Sequence, residues 1–151
     1  MKRFLLVVLY FFLTSTLYAS DISHDKQKMN DIAFSKQMFN HVFTKLDSKS
    51  VLNYFTKNAV IHLNFDKPMY TNDLIHRVLM LKNSVKSIQY KYNDFIASGS
   101  KIVVRCLVTV ITKSGKTQER KQITIMQFQH HKISEIWELS MANDQLLKKF
   151  N

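Results

Sequence analysis

The chain has 151 residues, which gives room for one domain with its own core and excludes a two-domain enzyme. Its 46% hydrophobic content is too high for a disordered protein, and Gly99 and Gly115, its two glycines, lie too far apart to form a phosphate-binding loop. The lone Cys106 excludes an internal disulfide and a cysteine metal cluster, which leaves the net charge of +11 as the remaining extreme value.

The N-terminus predicts a signal peptide over residues 1–19. The basic pair Lys2-Arg3 precedes an apolar run over 4–13, and a plausible cleavage site ends at Ala19. This run is about half the length of a membrane-spanning helix, so an uncleaved anchor is the alternative and would recruit the stretch through Ala19. Cleavage would give a periplasmic or secreted protein and lower the charge from +11 to +9.

The next part of the chain predicts three helices and one strand. Apolar residues at spacings of three and four mark the helices, and alternation marks the strand. Polar residues able to cap helices precede the second and third helices. In chain order we expect a helix over 25–45, a short helix that Asp47 or Ser48 caps and Asn58 ends, a strand over 59–65, a turn over 66–68, and a helix from Thr71 or Asn72 to about residue 82.

The second half is rich in Val, Ile, Thr, Tyr and Phe and predicts four strands joined as a meander. Helices segregated from an antiparallel sheet indicate an α+β domain over 20–142, with a C-terminal tail over 143–151. The expected strands cover 87–96, 101–113, 118–129 and 132–140.

Two segments resemble NTF2-like (SnoaL-like) domains, and the element order agrees over about residues 25–142. One segment is Leu46-Asp47-Ser48…Val51-Leu52…Phe55-Thr56-Lys57-Asn58-Ala59-Val60-Ile61, and the other runs from Phe128 through Lys132-Ile133 to Trp137-Glu138-Leu139. The resemblance implies a cone in which three N-terminal helices pack on a curved antiparallel sheet. In that family the mouth of the cone often holds a small apolar ligand and the convex face often forms a homodimer, but the fold implies no single reaction.

The resemblance also tests the steroid-isomerase branch of the family. The positions of its tyrosine, its general base and its oxyanion-hole acid align with Phe39, Leu63 and Thr124. Leucine accepts no proton and phenylalanine donates no hydrogen bond, so that chemistry lacks its base and its electrophile. We therefore expect no catalytic residues of the isomerase type.

The same alignment predicts which residues line the cone. It points Arg105 and Glu138 inward as the only charges, either as an anchor for an anionic group of an apolar ligand or as an ion pair that satisfies itself. A slip of one residue would exchange the two faces of a strand. The predicted lining residues are Phe39, Phe55, Leu63, Arg105, Thr109, Thr124 and Glu138.

Other ligand classes have weaker sequence support. The histidines lie on different elements without the spacing of a metal site, so we expect no metal and no cofactor. The lysines are spread over every element, which favours solubility and weak attraction to anionic envelope surfaces over specific nucleic-acid binding. A membrane partner is expected only if the N-terminal segment is retained.

Three functions are compatible with this pattern. The first is an exported, non-catalytic domain that binds a small apolar ligand or a protein partner and dimerises through its convex face. The second is a cyclase- or dehydratase-type enzyme that uses Glu138 and Arg105. The third is an anchored subunit of an envelope secretion complex.

Overall fold

A computed structural model describes residues 26–64 and 66–142. The predicted signal peptide and the predicted C-terminal tail therefore lie outside the described residues. None of the helices in the described part is long and apolar enough to cross a membrane.

The helices agree with the sequence pattern in order and differ in their ends. Helix α1 covers 26–38 and continues as a π-helical turn, Phe39–Thr44. A 3-10 turn, Ser48–Ser50, runs directly into the short α2, Val51–Tyr54, and α3 covers Thr71–Ser84. Asp47 caps the 3-10 turn as expected, since its carboxylate accepts the backbone N–H of Lys49 at 3.1 Å.

The start of α3 corrects the predicted cap. The Asp73 carboxylate accepts the backbone N–H of Tyr70 at 2.9 Å, whereas the hydroxyl of Thr71 turns away from the helix terminus. That hydroxyl donates to the carbonyl of Thr56 at 2.8 Å and accepts the N–H of Ala59 at 3.1 Å. Thr71 thus fixes α3 to the neighbouring strand.

Six strands form one sheet, two of them before α3. Strand β1 begins where a helical end was expected, and the predicted 66–68 turn leads to the two-residue β2. The four strands of the second half agree with their predictions to within two residues at each end. The strands are β1 (Phe55–Leu63), β2 (Met69–Tyr70), β3 (Val85–Ser98), β4 (Lys101–Thr112), β5 (Thr117–Gln129) and β6 (Lys132–Ala142).

The prediction of an antiparallel sheet is wrong at one pairing. The strand order is β2-β1-β6-β5-β4-β3, and β1 pairs with β6 in parallel, with Phe55 opposite Ile133 and Leu63 opposite Glu138. Helix α3 and four strands separate β1 from β6 along the chain, so no hairpin fixes their relative direction. The domain is α+β with a mixed sheet.

The helices cover one face of this sheet and form the core with it. Phe39 and Val42 of the π-helical turn, Val78 of α3 and Val104 of β4 are all at most 1% exposed. A single cluster of buried side chains joins the helices to this face. We call it the helix-facing side of the sheet and its opposite the outer face.

The face prediction for β4 is wrong by one residue. Directly paired residues of antiparallel strands share a face, and Cys106 pairs with the buried Gln122 while Arg105 pairs with the exposed Ile123. Both faces of β4 carry apolar residues, so its pattern alone does not define the core side. A register shift between Gln127 and Phe128 of β5 places Ile133 opposite Phe128, and both side chains lie in the core.

Candidate functional site

A cavity of about 140 Å³ lies between α3 and the helix-facing side of the sheet. Nine of its lining side chains are apolar and four carry polar or charged groups. The apolar wall is formed by Phe43, Phe55, Ile61, Leu63, Leu74, Val78, Leu81, Ile88 and Ile136, and the polar side chains are Arg77, Tyr90, Arg120 and Glu138.

Strand alternation and helix periodicity place the four polar groups in the cavity. Glu138 lies two residues after Ile136 on β6 and is paired with Thr124 and Leu63, so it points to the helix-facing side. Arg120 of β5 and Tyr90 of β3 are both paired with Val108 of the intervening β4. Side chains from three strands therefore converge on one space.

Arg77 reaches the same space from the opposite wall. It lies three residues after Leu74 and four before Leu81 on α3, so the three side chains share one helical face. Arg77 and Arg120 are both exposed although they line the cavity. Their positions mark the open end of the cavity.

The environment perturbs the two acidic groups of the cavity. Burial raises the pKa of the Glu138 carboxyl above its ordinary value, and the positive charges of Arg77 and Arg120 partly oppose this shift. Burial also raises the pKa of the Tyr90 hydroxyl well above its ordinary value, with a further contribution from Glu138. Tyr90 is therefore a neutral hydrogen-bond donor at physiological pH.

The polar groups of the cavity have unused hydrogen-bonding capacity. Among the described residues, no side-chain hydrogen bond or ion pair engages the Glu138 carboxylate, the Tyr90 hydroxyl or the Arg77 guanidinium. The described structure contains no buried polar side-chain atom that lacks a hydrogen-bond partner. Since these polar atoms have no partner, they are accessible to solvent. An entering molecule can form hydrogen bonds with all three.

Three of the seven predicted lining residues line the cavity, namely Phe55, Leu63 and Glu138. Phe39 is fully buried behind the wall, with its ring centroid 4.9 Å from that of Tyr90. Thr124 is also buried, and its hydroxyl accepts the side-chain amide of Gln122 at 2.9 Å.

The other two predicted lining residues, Arg105 and Thr109, lie on the outer face. Arg105 forms an exposed ion pair with Asp94 at 2.7 Å, and the Thr109 hydroxyl lies 3.5 Å from a carboxylate oxygen of Glu119. The predicted approach of Arg105 to Glu138 is therefore wrong. Exposed pairs of this kind contribute little to stability.

Sequence reasoning missed Arg77, Tyr90 and Arg120. The signal for Arg120 was present, because Arg120 lies four residues before Thr124 on the same strand and alternation places both on the inner face that was predicted for Thr124. Arg77 interrupts the apolar face of α3 at helical spacing, which is a second usable signal. Tyr90 could be placed only with the register of β3 on β4.

The histidines of the described segments do not converge on a metal site, and those segments contain no group of three or more His, Cys, Asp or Glu side chains able to hold an ion. The Nδ1 atom of His41 lies 2.5 Å from the Tyr54 hydroxyl. The Nε2 atom of His62 lies 2.9 Å from a carboxylate oxygen of Glu135. Each of these two rings has its own partner on a different part of the fold.

The outer face of the sheet carries exposed apolar side chains. Ile96, Ile123, Leu139 and Met141 are 59%, 44%, 44% and 48% exposed. Beside them, the ring of Trp137 stacks on that of His62 with centroids 5.5 Å apart. Strands β3 to β6 supply this surface, and no helix of residues 26–64 and 66–142 covers it.

Comparisons with known proteins define the fold. No family model matches the sequence, and no curated protein is significantly similar to it. AclR, a candidate hydroxylase from Streptomyces galilaeus, superposes with a TM-score of 0.67 at 13% identity, over 80% of this chain and 85% of its own.

Two further solved structures agree with this result. A candidate SnoaL-like polyketide cyclase from Jannaschia sp. CCS1 has a TM-score of 0.66 at 11% identity, over 81% of this chain and 90% of its own. An NTF2-like protein of unknown function from Burkholderia pseudomallei has a TM-score of 0.62 at 14% identity, over 80% and 95%. The chain has the NTF2-like (SnoaL-like) fold that its sequence resembles, and at these identities the likeness concerns the fold alone.

Proposed function

We propose that this NTF2-like domain is a non-catalytic binding protein for a small, largely apolar molecule that carries one anionic group. The observation that supports the proposal is the set of unengaged polar groups of Arg77, Tyr90 and Glu138 in an otherwise apolar cavity. Binding sites of this type combine apolar walls with a few convergent polar groups.

The size of the cavity limits the ligand. Its volume of about 140 Å³ is close to that of an engineered apolar cavity of about 150 Å³ that binds benzene. Ligand pockets for drug-sized molecules are larger, about 300–1,000 Å³. A single ring or a short alkyl chain fits this space, whereas a multi-ring polyketide does not.

The charges favour an anionic group on the ligand. Two guanidinium groups line the open end and one carboxyl lies within, so the site is positive even when Glu138 is ionised. Arginine side chains bind carboxylates through two parallel hydrogen bonds. The raised pKa of Glu138 makes its protonated form accessible, and that form donates to an anion instead of repelling it.

Calorimetric titration with benzoate, benzyl alcohol and benzene tests this proposal. We expect benzoate to bind most tightly, Arg77→Gln to weaken benzoate about tenfold, and Leu63→Trp to abolish binding of all three by filling the cavity. Arg105→Gln is the matched control, since Arg105 lies on the outer face and its loss should leave benzoate affinity unchanged. Equal weakening by both arginine variants, or no binding of any probe, would contradict the proposal.

A second candidate function is supported by the perturbed carboxyl group. A glutamate with a raised pKa beside a neutral tyrosine can act as a general acid–base pair. In a dehydration, Glu138 would take the proton next to a carbonyl that Tyr90 polarises, then give that proton to the departing β-hydroxyl, which leaves as water. Arg105, assigned to such an enzyme from the sequence, lies outside the cavity and takes no part.

Formation of the enone from 4-hydroxybutan-2-one, followed by ultraviolet absorbance, tests this candidate. An enzyme should show turnover that Glu138→Gln removes and Arg105→Gln preserves. Turnover above that of buffer that depends on Glu138 would overturn the non-catalytic proposal, whereas absence of turnover together with benzoate binding supports it.

We also propose that the protein is exported through residues 1–19. The basic pair, the apolar run and the site ending at Ala19 support this proposal. Mass spectrometry of the N-terminus of the protein from its native envelope is the test. A chain beginning at Ser20 is expected, and retention of residues 4–19 would favour the anchored subunit instead.

A further inference from the structure

We infer that the open end of the cavity docks on an anionic lipid bilayer, from which the apolar ligand enters. The inference rests on the proposed binding function. It concerns a surface formed by five cationic residues and one exposed methionine around the opening, which we call the rim: Arg77, Met80, Lys86, Lys113, Lys116 and Arg120.

Backbone contacts bring the lysines of the rim to the end of α3, three residues after the cavity-lining Leu81. The N–H of Lys113 donates to the carbonyl of Ser84 at 2.9 Å, which joins the end of β4 to the end of α3. Val85 pairs with Thr112, so Lys86 lies at the same end of the sheet. The start of β3 and the β4–β5 turn therefore bring three exposed lysines together at the end of α3.

The β4–β5 turn is held in a defined shape. The N–H of Thr112 donates to the carbonyl of Lys116 at 2.9 Å, and the N–H of Gly115 donates to the carbonyl of Thr112 at 3.0 Å. Gly115 has a φ of +86°, a conformation that favours glycine. The charges of Lys113 and Lys116 are thus presented by an ordered turn.

The apolar part of the rim is Met80. It is 71% exposed and lies three residues after Arg77, which places it beside that arginine at the opening. Nothing in the described structure covers it. An exposed apolar side chain among cations is typical of surfaces that enter the interfacial layer of a bilayer.

Three carboxylates lie near the five cationic side chains of the rim: Asp73 is one helical turn before Arg77, Glu119 directly precedes Arg120, and Glu138 lines the cavity. Glu119 lies on the outer face beside the Thr109 hydroxyl, and Asp73 accepts the N–H of Tyr70 at the start of α3. Glu138 lies inside the cavity with a raised pKa. The rim therefore has an excess of positive charge.

An anionic bilayer fits this arrangement better than a single-stranded nucleic acid does, and the exposed Met80 among the cations favours a bilayer over the phosphates of a duplex. Each lysine or arginine near an anionic bilayer contributes about 1 kcal/mol of attraction, within about one Debye length. Single-stranded nucleic acids would require aromatic side chains on which bases stack, and the exposed rim residues include none. A bilayer also takes up amphiphilic molecules, whose apolar part enters the membrane and whose charged group stays at its surface.

Co-sedimentation with lipid vesicles tests the inference on the purified chain without residues 1–19. One set of vesicles contains equal parts of phosphatidylglycerol and phosphatidylcholine, and the other contains phosphatidylcholine alone. We expect binding to the anionic set alone, loss of that binding in about 1 M salt, where the Debye length is about 3 Å, and several-fold weaker binding of Met80→Ser.

Charge-reversal variants with equal net charge locate the surface. Lys113→Glu with Lys116→Glu should reduce the vesicle affinity at least about tenfold. Lys57→Glu with Lys101→Glu makes the same change in charge at exposed positions near the opposite end of the sheet, and its effect should be much smaller. Equal losses from the two double variants, or wild-type protein that stays in the supernatant, would overturn the inference.

Two further measurements separate the alternatives. Tighter binding to duplex DNA than to anionic vesicles through Lys113 and Lys116 would identify a nucleic-acid surface and overturn the inference. Benzoate titration without vesicles should be unchanged in the Lys113→Glu, Lys116→Glu variant. Benzoate binding without vesicle binding refutes the docking surface alone, whereas vesicle binding without benzoate binding refutes the proposed ligand function.

Discussion

Glu138 has a carboxyl group whose proton is retained more strongly in the folded chain than in the unfolded one. Burial raises its pKa above the ordinary value of 4.5, so the folded state binds more protons between that value and the raised pKa. Stability is therefore highest below the unfolded pKa and decreases as the pH rises through the folded pKa.

This linkage predicts the behaviour of Glu138→Gln. The variant should lose this component of the pH dependence, and its stability relative to wild type should improve from about pH 4 to pH 7. Urea unfolding at a series of pH values measures the effect. Parallel pH profiles of the two proteins would show that Glu138 does not titrate in this range.

Phe39 occupies the isomerase tyrosine position but has a packing role. It is 1% exposed, and its ring lies 4.9 Å from Tyr90 and 6.0 Å from Tyr92. Phe39→Ala should reduce the free energy of unfolding by about 3–5 kcal/mol because it leaves a cavity. Ile96→Ala, at an exposed position, should change it by less than about 0.5 kcal/mol in the same urea titration; similar losses in both variants would contradict this packing role.

At the scale of the strand, β4 offers a direct test of which face is buried. Val103 and Val104 are neighbours of the same type, but Val104 is fully buried and Val103 lies on the outer face. Val104→Asp should unfold the domain, since it places a charge in the core, whereas Val103→Asp should retain the native fold. Circular dichroism during heating distinguishes them, and the reverse order would restore the face assignment made from sequence.

The sequence pattern predicted the buried face of some elements and not of others. The apolar periodicity of α1 and α3 was sufficient, since each helix has a single apolar face. For β4 it was insufficient, because Val103 and Leu107 on one side are as apolar as Val104 and Val108 on the other. The face then depends on cross-strand pairing, which a single sequence does not contain.

The lining residues of the cavity could be predicted only on the strands whose register could be predicted. Phe55, Leu63 and Glu138 were found because β1 and β6 carry family motifs that set their register. The assignment of β4 was wrong by one residue, so Arg105 was placed in the cavity. The arginines that line the cavity with Glu138 are Arg77 of α3 and Arg120 of β5. Long-range pairing decided which charges meet.

At the scale of the whole molecule, the outer face supports the homodimer predicted from the sequence, which we retain as a proposal. Ile123, Leu139 and Met141 are each more than 40% exposed on one sheet surface, and contiguous apolar patches on this scale often mark interfaces. Sedimentation velocity should give a dimer for wild type, a monomer for Leu139→Lys, and a dimer for the control Met80→Lys. A wild-type monomer at high concentration would refute the proposal.

The parallel pairing of β1 with β6 has a consequence for the order in which the chain acquires its structure. During synthesis or translocation the N-terminal part of the chain emerges first. Strand β1 therefore emerges long before β6, because Phe55 pairs with Ile133, which is 78 residues later in the chain. The β1–β6 pairing can form only after the residues of β6 that pair with β1, Ile133 to Glu138, have emerged. Because this pairing joins residues far apart in the chain, it carries a large loop-closure cost, and β6, the last strand of the described residues, completes the sheet slowly.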